Sequence, residues 1–238
     1  PIVLTATLTG DNVFTKEYDG DTTVDQGLTL GSTYTLDKVV SNDTVSIATN
    51  TSGSYNNKNA GNGKTISYTG IALTGADAGN YTIADTLSAD VGKITQKDLT
   101  AALIDTSSIS KTYDGTDKVT TALTKGTNYQ FTGMVDGDAL NLTGTGKYTD
   151  KNAGNDKTVS FTGLVLTGDD AGNYNLKTET LSGNVGKINQ KTIAAELKSG
   201  SIFAKEYDGT DVVTTALVKY TNYVLPNMIS GDDLSLDT

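Results

Sequence analysis

Cysteine, histidine and tryptophan are all missing from the 238 residues, and phenylalanine is limited to four. Without thiols or imidazoles there can be no disulfide, no thiolate nucleophile, no histidine base and none of the usual zinc ligand sets. Arginine is absent too, so all 18 basic residues are lysine, and 28 acids leave a net charge of −10. That balance argues against nucleic acid and anionic membranes as partners. No apolar run approaches the length of a membrane span, which argues against membrane insertion of this segment. No basic-then-apolar leader precedes Pro1, and the chain reads as an interior part of something larger.

What is abundant points to turns and strands. The acids are 24 Asp against 4 Glu, with 41 Thr and 26 Gly. Asp competes for local backbone hydrogen bonds and favours turns, whereas Thr suits a pleated surface. The expected fold class is all-β. At this length two to three domains are expected.

Internal repetition sets the organisation. Tyr18, Tyr113 and Tyr207 lie 95 and 94 residues apart, as do Tyr34, Tyr129 and Tyr223. KNAGN recurs at 58–62 and 151–155, AGNY at 78–81 and 171–174, and VGKI at 91–94 and 185–188. The expected division is repeat 1 at 1–97, repeat 2 at 98–191 and the first half of a third repeat at 192–238. Half a module would leave strand edges and core residues uncovered, so 192–238 is expected to be disordered, paired with a neighbour, or a sign that the boundary lies elsewhere. The junctions carry no Pro and no Gly/Ser tract, so neighbouring repeats in the chain are expected to be each other's first partners, held stiffly as an elongated rod.

Within a repeat, Val159 and Phe161 alternate with polar residues, but after Gly163 the apolar positions become Leu164 and Leu166. A glycine at such a phase slip suggests a bulge or a strand that passes from one sheet to another. The Asp-Ala-Gly-Asn-Tyr stretch that follows resembles the tyrosine corner of immunoglobulin-type sandwiches, in which Tyr81 and Tyr174 would tie their hydroxyls to backbone. The expected module is therefore an immunoglobulin-like β-sandwich, with a β-grasp-like or other two-layer β module as the alternative.

The motif that appears three times is Lys-x-Tyr-Asp-Gly: Lys16, Tyr18, Asp19 and Gly20; Lys111, Tyr113, Asp114 and Gly115; Lys205, Tyr207, Asp208 and Gly209. Asp-Gly between strand formers is a tight-turn signal, so structural punctuation is the expected role. Asp114, Asp117, Asp169, Asp170, Asp208 and Asp211 could supply oxygens to calcium, although no EF-hand or nonapeptide calcium spacing is present and solvated turn acids are expected. Lys16, Lys111 or Lys205 could enter a Lys–Asn isopeptide bond, but exposed lysines are expected there. A carboxylate pair of glycosidase type would need an aromatic-rich cleft, and no catalytic residues are expected. The tyrosines occupy like positions in each repeat, as core residues do. Segment 37–57 is two residues longer than its counterpart at 132–150 and differs in wording, which marks it as a variable loop.

Taken in order, K-x-Y-D-G, K-N-A-G-N, L-T-G-x-D-A-G-N-Y and G-K-I-x-Q-K resemble the YDG-type repeats found in tandem in large bacterial surface adhesins of the filamentous-haemagglutinin-like kind. The resemblance covers nearly the whole chain. It implies a secreted, cell-surface protein whose repeats serve as a stalk or spacer in attachment or biofilm formation. The alternative is that the repeats themselves bind a glycan or a host surface protein.

Overall fold

In a computed structural model of the protein, residues 1–9, 14–48, 51–105 and 108–237 are described. Residues 49 and 50 of the variable segment 37–57 lie outside them. The protein is 45% strand and 3% helix, the helix being two single 3-10 turns at Ala78–Asn80 and Ala171–Asn173, so the fold is all-β.

Two compact units are present. The first gathers Pro1–Ala102, Thr124–Thr143 and Leu164–Glu179; the second gathers Leu103–Leu123, Gly144–Gly163 and Thr180–Thr238. Repeat 2 thus supplies residues to both.

The first unit is organised around a five-stranded sheet. Its Thr86–Thr95 strand, which carries VGKI, pairs in parallel with Phe14–Glu17 and antiparallel with Gly61–Thr69. Gly61–Thr69 continues to Ser52–Tyr55, which pairs with Thr23–Val24 at the edge. Along Gly61–Thr69 the residues Lys64, Ile66 and Tyr68 point inward and alternate with more exposed neighbours. That period of two lets a single face bury its apolar side chains. At Gly70 the chain leaves this sheet, and Leu73–Thr74 pairs instead with Ser46–Ile47. Ile66 and Tyr68 before this glycine and Ile71 and Leu73 after it show the same phase slip as at Gly163. Here it marks a change of sheet, whereas at Gly163 a single strand, Gly154–Thr167, runs through the glycine.

Shorter ladders complete the first unit. Thr5–Leu8 pairs with Tyr34–Asp37, Ile2–Val3 pairs with Tyr81–Thr82, and Lys97–Leu103 lies between Tyr129–Thr132 and Tyr174–Leu176. Leu4, Val45 and Tyr81 form a small core within repeat 1, and a larger core joins the remaining ladders. Leu8, Phe14, Tyr18, Tyr34, Ile66, Tyr68 and Ile94 come from repeat 1, while Leu99, Leu140 and Tyr174 come from repeat 2, and all lie in the same buried cluster.

In the second unit Leu181–Asn189 repeats the central role, flanked by Ile109–Thr112 in parallel and by Gly154–Thr167 antiparallel. Ile109, Tyr148, Val159, Phe161, Leu181 and Ile188 are buried here. The segment after residue 192 forms one short ladder, Glu196–Leu197 with Tyr223–Val224. It leaves Tyr207 97% exposed, where Tyr18 is fully buried.

A third set of tyrosines pins the loops. The hydroxyls of Tyr34, Tyr129 and Tyr223 accept hydrogen bonds from the backbone N–H groups of Ile47, Leu142 and Leu236, at 2.7, 2.8 and 3.0 Å. Each is buried to within 2%, so a polar group that burial would otherwise leave unpaired becomes a fixed point.

Candidate functional site

The repeated Tyr-Asp-Gly turn is built the same way each time. Lys111 Nζ donates to Asp114 Oδ1 at 2.7 Å and to the Thr116 carbonyl at 2.8 Å, while Thr116 N–H donates to Asp114 Oδ1 at 2.9 Å. Lys205, Asp208 and Thr210 reproduce this arrangement, and Lys16 reaches both Asp19 and Asp21. The glycines that close the turns, Gly20, Gly115 and Gly209, have φ of 89°, 81° and 78°, which glycine tolerates at no steric cost.

Two of the three lysines differ from expectation, while Lys205 is exposed. Lys16 and Lys111 side chains are only 7% and 6% exposed, because the ammonium finds its partners inside the turn while the stem lies over a ring. Lys16 Nζ sits 5.6 Å from the centroid of Tyr55 and Lys111 Nζ 5.5 Å from that of Tyr148. Their carboxylate partners are in the same turn, and no asparagine side chain is hydrogen-bonded to them among the described residues. A Lys–Asn contact does exist elsewhere, between Lys64 and Asn57.

These turns also show what the aspartates do. Burial pushes the Asp114 carboxyl up, but Lys111 and the Thr116 backbone and hydroxyl outweigh it and hold the group at about 2. Asp208 is lowered by Lys205 and by Thr210. In both turns a lysine ammonium is already paired with the carboxylate, at 2.7 and 2.8 Å. Asp117 contributes its carbonyl to Tyr148 N–H, Asp170 accepts from Ala139 N–H at 2.9 Å, and Asp169 and Asp211 are exposed. Among the described residues no group of three or more acids is placed to hold a metal ion.

The motif tyrosine points away from its own turn. In the first unit Tyr18 OH donates to Asp138 at 2.9 Å, and Tyr174 OH donates to the same Oδ2 at 2.5 Å. Lys58 Nζ, from KNAGN, lies 3.3 Å from Oδ1. The rings of Tyr18 and Tyr174 meet edge to face, centroids 5.4 Å apart, a favoured geometry. Asp138, its side chain 2% exposed, is therefore clasped by two residues of repeat 1 and one of repeat 2. Tyr174 also accepts from Val135 N–H at 2.8 Å. Its hydroxyl does tie to backbone, as a tyrosine corner would, but it reaches back 39 residues and adds a carboxylate.

Related arrangements occur at the other copies. Tyr113 OH donates to Asp232 at 2.7 Å in the second unit, with Lys151 at 4.0 Å. In repeat 1, Tyr81 OH donates to Asp43 at 2.5 Å and accepts from Val40 N–H at 3.0 Å. No Tyr-Asp-Gly tyrosine reaches Asp43 among the described residues, and Val40 is 49% exposed. Asp43, Asp138 and Asp232 are 95 and 94 residues apart. In the sequence Asp232, paired with Asp233, counts among the acid clusters that could attract calcium, whereas Asp43 and Asp138 stand out only by sharing the tyrosine interval.

Electrostatics fits a lock. Burial pushes the Asp138 carboxyl up, but the hydrogen bonds from Tyr174, Tyr18 and Lys58 together hold it below its ordinary value. Burial and Asp138 both push Tyr18 and Tyr174 up, and hydrogen bonds to Tyr18 and Asp138 push Lys58 up. A lowered carboxyl stabilises the folded state above its unfolded pKa, near 4, and that contribution fades as pH falls through the folded value. The raised tyrosines stabilise below about pH 10, and their contribution fades as pH rises through their folded values. Stability is therefore expected to plateau between about pH 5 and 9 and to fall on both sides. Asp138→Asn should flatten the acid limb in urea titrations run at a series of pH values. An unchanged acid limb would remove Asp138 from this account.

The fold and the clasp together define a class: tandem β repeats in which the second copy completes the core of the first. A YDG domain model matches residues 3–89 and again residues 95–181. The chain belongs to the YDG domain family and carries two copies in tandem. No curated protein and no solved structure matches it.

Proposed function

We infer that these repeats are the stalk of a secreted bacterial surface adhesin, spacing a binding region from the cell and so supporting attachment or biofilm formation. In this reading the modules are immunoglobulin-like two-layer β units arranged as an extended rod. The observation that carries it is the clasp at Asp138. Two tyrosines and a lysine drawn from two successive repeats are spent on joining those repeats, and the larger core of the first unit draws on both. Interfaces of this kind suit a load-bearing array, because each repeat is stabilised by its neighbour.

Replacing the repeats, in the bacterium that makes the protein, with unrelated β repeats of equal contour length tests this. Attachment should survive the replacement and fall when the repeats are simply deleted. Loss of attachment despite preserved length would show that the repeats bind a glycan or host protein themselves.

A further inference from the structure

The second unit contains an open cavity of about 600 Å3 beside Tyr113 and Asp232, bounded also by Asn152, Ala153, Gln190 and Ile193. Each of these has a counterpart in the first unit: Tyr18, Asp138, Asn59, Ala60, Gln96 and Leu99. There the corresponding space is filled. The Ala171–Asn173 turn and Tyr174 occupy it, with Asn173 Oδ1 accepting from Ala60 N–H at 2.9 Å and Gln96 Nε2 donating to the Gly172 carbonyl at 3.0 Å. Tyr174 closes on Asp138 and Val135 N–H, and Tyr174–Leu176 adds as a parallel strand to Lys97–Leu99.

In the second unit the receiving groups are present and unmet. Ala153 N–H, Gln190 Nε2 and Ile229 N–H, the counterparts of Ala60, Gln96 and Val135, have no partner among the described residues. Asp232 Oδ1 takes Tyr113, and Oδ2, the counterpart of the oxygen that receives Tyr174, takes no hydrogen bond among the described residues. Lys191–Ile193 has no strand paired with it among the described residues.

We propose that this cavity is a docking site for the Asp-Ala-Gly-Asn-Tyr corner of another YDG repeat, received by strand addition along Lys191–Ile193 with its tyrosine on Asp232. Strand addition supplies affinity through main-chain hydrogen bonds, and the tyrosine pocket supplies specificity. The site recognises one segment chemistry: a small Ala-Gly turn that enters without clash, an asparagine that meets Ala153 N–H, and a tyrosine that reaches a carboxylate. The inference goes beyond the stalk reading and does not depend on it.

The test titrates the full chain with a synthetic peptide of its own residues 166–176, LTGDDAGNYNL, and follows binding by isothermal calorimetry and amide hydrogen exchange. One-to-one saturable binding is expected, with new protection confined to 152–154, 191–193 and 229–232. The peptide carrying Phe in place of its tyrosine should bind at least about tenfold more weakly, since a hydrogen bond to a charged acceptor is lost. Asp232→Ala in the full chain should weaken the parent peptide by a similar factor while its circular dichroism stays unchanged. The proposal is overturned by absence of saturable binding up to millimolar peptide, by protection elsewhere, or by equal affinity for the two peptides.

Discussion

Asp138→Ala is expected to destabilise the first unit by about 3–5 kcal/mol, the range seen when one partner of a buried charged network is removed. The physical reason is what remains behind. Tyr18 and Tyr174, at 0% and 4% exposure, would keep hydroxyl donors in a space that water cannot readily enter, and each unsatisfied donor costs on the order of 1–3 kcal/mol. Repeat 1 supplies the control. Asp43 holds one tyrosine at a half-exposed site, so Asp43→Ala should cost a small fraction as much. Hydrogen exchange of the Val135 and Leu142 amides reports on the first unit directly, which avoids treating a two-unit chain as a single transition. If both substitutions cost the same, the clasp contributes no more than an ordinary surface hydrogen bond.

Gly168→Ala is expected to cost about 3 kcal/mol or more, combining backbone strain with a clash that has no cheap relief. Its φ is +114°, and a Cβ there would stand 2.1 Å from the Ala139 carbonyl oxygen and 2.9 Å from its carbon. Both obstacles are backbone. Moving them would disturb the bond from Ala139 N–H to Asp170 and the seat of Asp138 beside it. Gly172, four residues on, has nothing within 4 Å of its would-be Cβ. Gly172→Ala should therefore be nearly neutral. Urea denaturation of the two variants separates the cases, and equal midpoints would show that the Gly168 loop gives way easily.

The two acids of the Leu-Thr-Gly-x-Asp-Ala-Gly-Asn-Tyr stretch illustrate how far reading the residues went. That Asp-Ala-Gly-Asn-Tyr forms a corner was legible, because a small-residue turn before a strand has few other uses. That Asp170 bonds Ala139 N–H, as Asp77 bonds Thr44 N–H at 2.8 Å, was not, since the partner lies about thirty residues back in a separate loop. The lysine of Lys-x-Tyr-Asp-Gly was expected to be exposed for a similar reason. Its burial depends on Tyr55 and Tyr148, which arrive from different strands.

The sequence by itself determined the all-β class, the period of 94 to 95 residues, the turns at Asp-Gly and the break in strand phase at Gly70. Each depends on local steric preference or on the alternation of side chains along one strand, and both can be read from neighbouring residues. Only the tertiary structure decided where the Tyr-Asp-Gly tyrosine goes. Its carboxylate partner stands 120 residues away in the next repeat, and a hydrogen bond over that separation leaves no local pattern. Burial made the pairing necessary, and packing one repeat against the next supplied the acid.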